Sequence, residues 1–111
     1  MVWLHGGSYE TGAGDMTVFD PSALVAEQQV VVVAVTYRLG LFGWLGGAGR
    51  AANLGALDVI AALHWVRDHI ADFGGDPGCV TLFGQSSGGD LAARLMVSGA
   101  PKGPLHPVTR Q

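Results

Sequence analysis

The apolar positions of the chain fall into three short runs, separated by longer stretches with a different period. Val2 to Leu4 is apolar and ends at His5-Gly6-Gly7, Val30 to Val35 is apolar throughout, and Val80 to Phe83 runs into Gly84. Short runs without polar alternation fit strands covered on both faces, the habit of parallel sheets. The connections between them are also long enough for parallel crossovers, which need a dozen residues or more. In the first crossover, Pro21 to Gln29 is predicted helical, with Asp20 as N-cap and Pro21 at the first helical position. In the second, Asn53 is the expected cap of a helix running to about Asp72. Along it Val59, Leu63, Val66, Ile70 and Phe73 recur on one face of a 3.6-residue period. The glycines and proline of "FGGDPG" then stop it. A third helix is expected from Ser87, carrying Leu91, Ala92, Leu95 and Met96 inward. Leu39 to Ala52, with five glycines, reads as a loop, and "GAPKGPLHP" as irregular. No repeat or domain boundary interrupts the pattern. The fold class is α/β, with three parallel strands and crossover helices.

The third strand ends in "LFGQSSGGD", Leu82 to Asp90. A serine at the apex of a strand-turn-helix stands clear of the sheet, but its strained backbone brings neighbouring turns together. The residues two before and two after must then be small. Gly84 and Gly88 around Ser86 meet this requirement, so Ser86 is the candidate nucleophile of a nucleophile elbow. The amide of Ser87, opening the helix, would face an oxyanion formed on a carbonyl attacked by Ser86. A plain βα turn or a phosphate loop is the alternative. Two nucleotide signatures fail, however, because the P-loop lysine is missing and the glycine spacing does not make G-x-G-x-x-G. A second source of backbone N–H groups is "HGGS", His5 to Ser8. If the first strand lies between the other two, its C-terminal end sits beside the serine turn, at the switch point where doubly wound sheets open a crevice. A glycine loop without a role is the competing interpretation.

Charge adds an exclusion and an expectation. The chain has 111 residues and a formal net charge of −3, so a nucleic-acid partner is not expected. Only 14% of residues are charged, against ~25% in ordinary soluble domains. So sparse a polar cover fits an internal segment, 1–111, of a larger single domain. The longest apolar run is the six residues Val30 to Val35, against the ~20 of a membrane-spanning helix, and no membrane partner is expected. "MVWLHGGS" reads as strand rather than signal peptide. Localisation stays open between cytoplasm and secretion. Cys79 is the single cysteine and has no partner for metal or disulfide chemistry. No metal ligands or cofactor motif stand out.

The segments "VWLHGGSYETGAG", "VAVTYRLGLFGWL", "NLGALD", "ALHWVRDHIADFGGDPGCVTLFGQSSGG" and "KGPLHPVTRQ" occur in order at fitting spacings. Together they resemble the type-B carboxylesterase and cholinesterase family of α/β-hydrolases, most of all bacterial para-nitrobenzyl-esterase-type enzymes. The resemblance implies a partial α/β-hydrolase fold and a serine esterase acting on small-molecule carboxylic esters without metal or cofactor. It implies Ser86 as nucleophile and the amides of Gly7, Ser8 and Ser87 as oxyanion hole. It also implies a buried structural ion pair between Arg38 and Asp58. The sequence departs from the family at Ser8 (usually Gly), Gln85 (Glu), Ser87 (Ala), Val59 (Gln) and Leu91 (often Ser). The family's triad acid and histidine lie beyond Gln111, so the isolated segment is expected to be inactive. His5, His64, His69 and His106 do not match the catalytic histidine. Asp90 and Asp76 have no expected role toward a base. Trp3, Trp44 and Trp65 are expected to pack, with Trp44 within reach of a pocket. A non-catalytic binding member of the same fold, or a truncated pseudoenzyme, is the alternative.

Overall fold

Val2–Leu4 and Val80–Gly84 alternate buried with half-buried positions. In the computed structural model, which describes residues 1–99 and the backbone of 105–106, β1 (Val2–Leu4), β2 (Val33–Val35) and β3 (Val80–Gly84) form a parallel sheet. The order is β2-β1-β3, with β1 central: Leu4 stands opposite Val35 on one side and Gly84 on the other. A two-residue strand, Leu105–His106, adds to the outer edge of β3 in the tail that the sequence marks as irregular. Side-chain expectations for His106 and the remaining tail residues lie outside the described residues.

Val2, Leu4, Val80 and Leu82 point to one face and are buried there by two helices, α3 (Leu54–His69) and α4 (Ser87–Val97). These supply Val59, Leu63 and Val66 from the first and Leu91, Ala92 and Leu95 from the second. The opposite face carries Trp3, whose ring lies 5.0 Å from Phe83 and 5.3 Å from Phe19. Helix α1 (Ser22–Gln28) begins one residue later than expected, at Ser22, whose amide donates to the Asp20 carboxylate at 3.0 Å.

Several expectations give way to local geometry. Val30 to Val32 lie outside the ladder, and β2 keeps only three residues, the number that β1 offers for pairing. Asn53 occupies the cap of α3 through its left-handed backbone (φ 58°) and carbonyl, which accepts Leu57 N–H at 3.1 Å; its side chain makes no capping bond. After His69 the helix tightens into a 3₁₀ turn, Ile70–Phe73. Three residues per turn rotate position 73 off the apolar stripe. Phe73 is consequently 62% exposed and packs beside Trp65, with ring centroids 5.7 Å apart. Met96, at the margin of the stripe centred on Leu91 and Leu95, is 38% exposed rather than inward. The glycine-rich loop holds a short helix, α2 (Gly40–Trp44), packed on α3.

Candidate active site

The turn between β3 and α4 forces Ser86 into φ 54°, ψ −123°, a combination sparsely populated by residues with a Cβ. The glycines on either side make this turn possible. A Cβ at Gly84 would stand 2.6 Å from Gly88 C and 2.7 Å from Leu4 O, and a Cβ at Gly88 would overlap Leu4 O itself. Strand β1, the elbow and the first turn of α4 therefore meet backbone to backbone. Ser86 and Gln85 are exposed, whereas Ser87, Gly88 and Gly89 are buried.

The loop after β1 is packed directly on this elbow. A Cβ at Gly6 would overlap Gln85 Oε1 and stand 3.2 Å from Ser86 Cβ. Beyond Gly6 the chain turns on the Gly7 carbonyl, which accepts the amides of Glu10 and Thr11, both at 3.0 Å, and the Thr11 hydroxyl at 3.3 Å. Because the peptide is trans, the Ser8 N–H points the other way, out of the turn. Ser8 (φ 55°) and Tyr9 (φ 64°) both adopt the left-handed region, which is sterically unfavourable for L-residues. The Ser87 N–H belongs to the first residue of α4, where amides lack intrahelical acceptors.

The histidine of the loop lies beneath it rather than in the site. His5 is fully buried, stacks on Tyr37 at 4.5 Å, and holds Nδ1 2.7 Å from Gly6 O. The Tyr37 hydroxyl donates to His5 O at 2.7 Å, and burial pushes its pKa up to about 12. His64 and His69 belong to α3, and His69 packs beside Trp65.

Tyr9 and Asp90 form a connection that no motif in the sequence marks. The Tyr9 hydroxyl donates to Asp90 Oδ2 at 2.6 Å, and Arg94 Nε donates to the same oxygen at 2.6 Å. The i,i+4 spacing of Asp90 and Arg94 was open to inspection. Tyr9, 81 residues away, carried no such signal. Burial, then the bond to Asp90, raise the Tyr9 pKa well above its ordinary value. A cavity of about 670 Å³ lies beside this contact, lined by Ser8, Tyr9, Trp44, Asp90 and Arg94 among others, but not by Ser86.

Arg38 and Asp58 do meet, through two bonds from the guanidinium at 2.7 and 2.6 Å and one from the Arg38 amide at 3.0 Å. Among the described residues the pair is only partly covered, with the Arg38 side chain 52% and the Asp58 side chain 27% exposed. The Arg38 bonds hold the Asp58 carboxyl below its usual range. Among the described residues, no group of three or more His, Cys, Asp or Glu is placed to hold a metal ion. No helix among them is long and apolar enough to cross a membrane.

A sequence model of the Carboxylesterase family matches residues 1–109. The chain belongs to the carboxylesterase family. Within that family it is 52% identical over 108 residues to Carboxylesterase 3B of Mus musculus, covering 96% of this chain and 19% of the mouse protein. It is 49% identical over 107 residues to the Para-nitrobenzyl esterase of Bacillus subtilis (strain 168), covering 93% of this chain and 22% of that enzyme. The solved structure of a thermophilic PNB esterase superimposes with a TM-score of 0.91 at 45% identity, over 96% of this chain and 23% of the other. The architecture is therefore that of a partial α/β-hydrolase fold. The chain spans about a fifth of the length of the curated relatives it matches.

Proposed function

We propose that the protein carrying this chain is a serine carboxylesterase, and that residues 1–111 are an internal segment of its single α/β-hydrolase catalytic domain. The packing of Gly6 against Ser86 and Gln85 carries this reading, since it sets a loop of potential amide donors beside the exposed serine. Ser86 Oγ attacks the ester carbonyl, losing its proton to a general base, and the carbonyl oxygen becomes an oxyanion. The amides of Gly7, Ser8 and Ser87 stabilise that charge, which develops only in the transition state and intermediate. Collapse expels the alcohol with a proton and leaves an acyl group on Ser86. Water then attacks the acyl-enzyme by the same route and releases the carboxylic acid. The base and its orienting acid come from parts of the protein outside this chain. Family membership and the strained φ of Ser86 support the assignment.

Replacing Ser86 tests it. Ser86→Ala in the protein carrying this chain is expected to abolish hydrolysis of a short-chain para-nitrophenyl ester while leaving the fold intact, because a methyl group fits the same turn. Retained turnover in a folded Ser86→Ala protein would reject the reading.

A further inference from the structure

Tyr9 is the residue through which the Gly7–Ser8 turn is fastened to the rest of the molecule. Its amide donates to Ser87 Oγ at 3.4 Å, and its carbonyl accepts Gly40 N–H at 2.7 Å and Trp44 Nε1–H at 3.1 Å. Its ring meets Trp44 edge-on at 4.7 Å, and its hydroxyl reaches Asp90. Two of these partners, Ser87 and Asp90, lie in the first turn of α4, whose N-cap is Ser86. The turn itself needs fastening, because Ser8 and Tyr9 are consecutive left-handed residues whose backbone would relax elsewhere if released.

We propose that Tyr9 is a positioning residue for acyl transfer: its hydroxyl, bonded to Asp90, locks the loop that carries the Gly7 and Ser8 amides in register with the helix that opens at the nucleophile. The inference rests on the serine esterase reading. Arg94 Nε donates to the same Asp90 oxygen, so the acceptor is itself held in place. A hydrogen bond to a carboxylate is stronger and shorter than one between neutral groups. An oxyanion hole is sensitive to such anchoring, because its donors act only when already aimed at the place where charge will develop. In this reading Tyr9 acts through the loop it fastens and not on the reacting atoms. Its loss should weaken transition-state binding and spare ground-state binding.

The experiment compares Tyr9→Phe, Asp90→Asn and the double variant in the protein carrying this chain. Three quantities are read: kcat and KM for a short-chain ester, the Ki of a trifluoromethyl ketone that forms an oxyanionic adduct with the serine, and the thermal midpoint. Tyr9→Phe keeps the ring against Trp44 and should lower kcat on the order of tenfold, as for one lost bond to a charged group, with KM changed by no more than about twofold. The ketone Ki should rise by the same factor as kcat falls. The double variant should be no worse than the more damaged single one, since both act through one bond. If Tyr9→Phe does not fold, Asp90→Asn, which retains the whole tyrosine, carries the same comparison. A kcat within about twofold of wild type in the folded Tyr9→Phe protein, or losses that multiply in the double variant, would overturn the proposal. Ser86→Ala assayed in parallel separates the two levels. If it still turns over ester, the esterase reading fails; if it is dead while Tyr9→Phe is fully active, only the positioning role fails.

Discussion

Ser8→Gly isolates what the Ser8 backbone does. The native φ of 55° at this position is a left-handed conformation costing an L-residue roughly 1–2 kcal/mol. Glycine removes that strain but brings back about 0.5–1 kcal/mol of unfolded-state entropy. The net effect on stability is thus between zero and a gain of about 1.5 kcal/mol, read as an unchanged or higher urea midpoint. For catalysis, the N–H survives the substitution and continues to point out of the turn closed on Gly7 O. If that amide is the working group, kcat/KM should change by less than about tenfold, or ~1.4 kcal/mol. Proline is not a usable converse, since its fixed φ near −65° is about 120° from the native value and would dismantle the turn. A short-chain para-nitrophenyl ester, with turnover followed at several concentrations, provides the assay. A Ser8→Gly enzyme that folds normally but loses about 10²–10³ in kcat, the loss expected for one oxyanion donor, would mean that the hydroxyl does the work and would refute the amide assignment.

Two further outcomes follow from the packing and the charges. Gly88→Ala forces a methyl group onto the carbonyls of Leu4 and His5, so the urea midpoint should fall by the equivalent of about 1–3 kcal/mol, and ester turnover should fall with it; an unchanged midpoint would contradict the backbone-to-backbone contact. The Arg38 bonds lower the Asp58 pKa, so the stability they add is present above the unfolded carboxyl value of about 3.9 and is lost as pH falls through the lower folded value. Asp58→Asn should therefore be less stable than wild type near pH 7 by a small margin, as suits an exposed pair, and the gap should close in acid; a gap that widened in acid would show the sign to be wrong.

Local chemistry made much of this arrangement readable in advance. The short apolar runs, the glycines two residues either side of Ser86 and the start of α4 at Ser87 are each dictated by neighbours within a few positions. The central place of β1 was legible as a condition, because only that order brings "HGGS" beside the elbow. Features set by tertiary partners were not legible. The hydrophobic run Val30 to Val35 has no mark showing that only Val33 to Val35 will be paired. The period that predicts burial of Phe73 holds only while the helix stays α-helical, and the 3₁₀ turn after His69 breaks it. Residue type marks Asn53 as a cap, but its left-handed backbone, and not its side chain, performs the role. Opposite charges at Arg38 and Asp58 suggest a pair, and the two do meet, while the exposure of that pair depends on what covers the loop. The sequence carries no sign of a role for Asp90, because only the folded chain brings Tyr9, 81 residues earlier, to its carboxylate.

In the proposed mechanism Ser86, and not its neighbour, forms the covalent intermediate. The structure separates the two: Ser86 is exposed at the strained apex, while Ser87 is buried with its hydroxyl accepting the Tyr9 amide. The most direct measurement is peptide mapping after the protein carrying this chain is inactivated with an organophosphonate ester. One adduct per active site is expected, on Ser86 within "LFGQSSGGD", in step with loss of esterase activity. An adduct on Ser87, or inactivation with Ser86 unmodified, would contradict the mechanism.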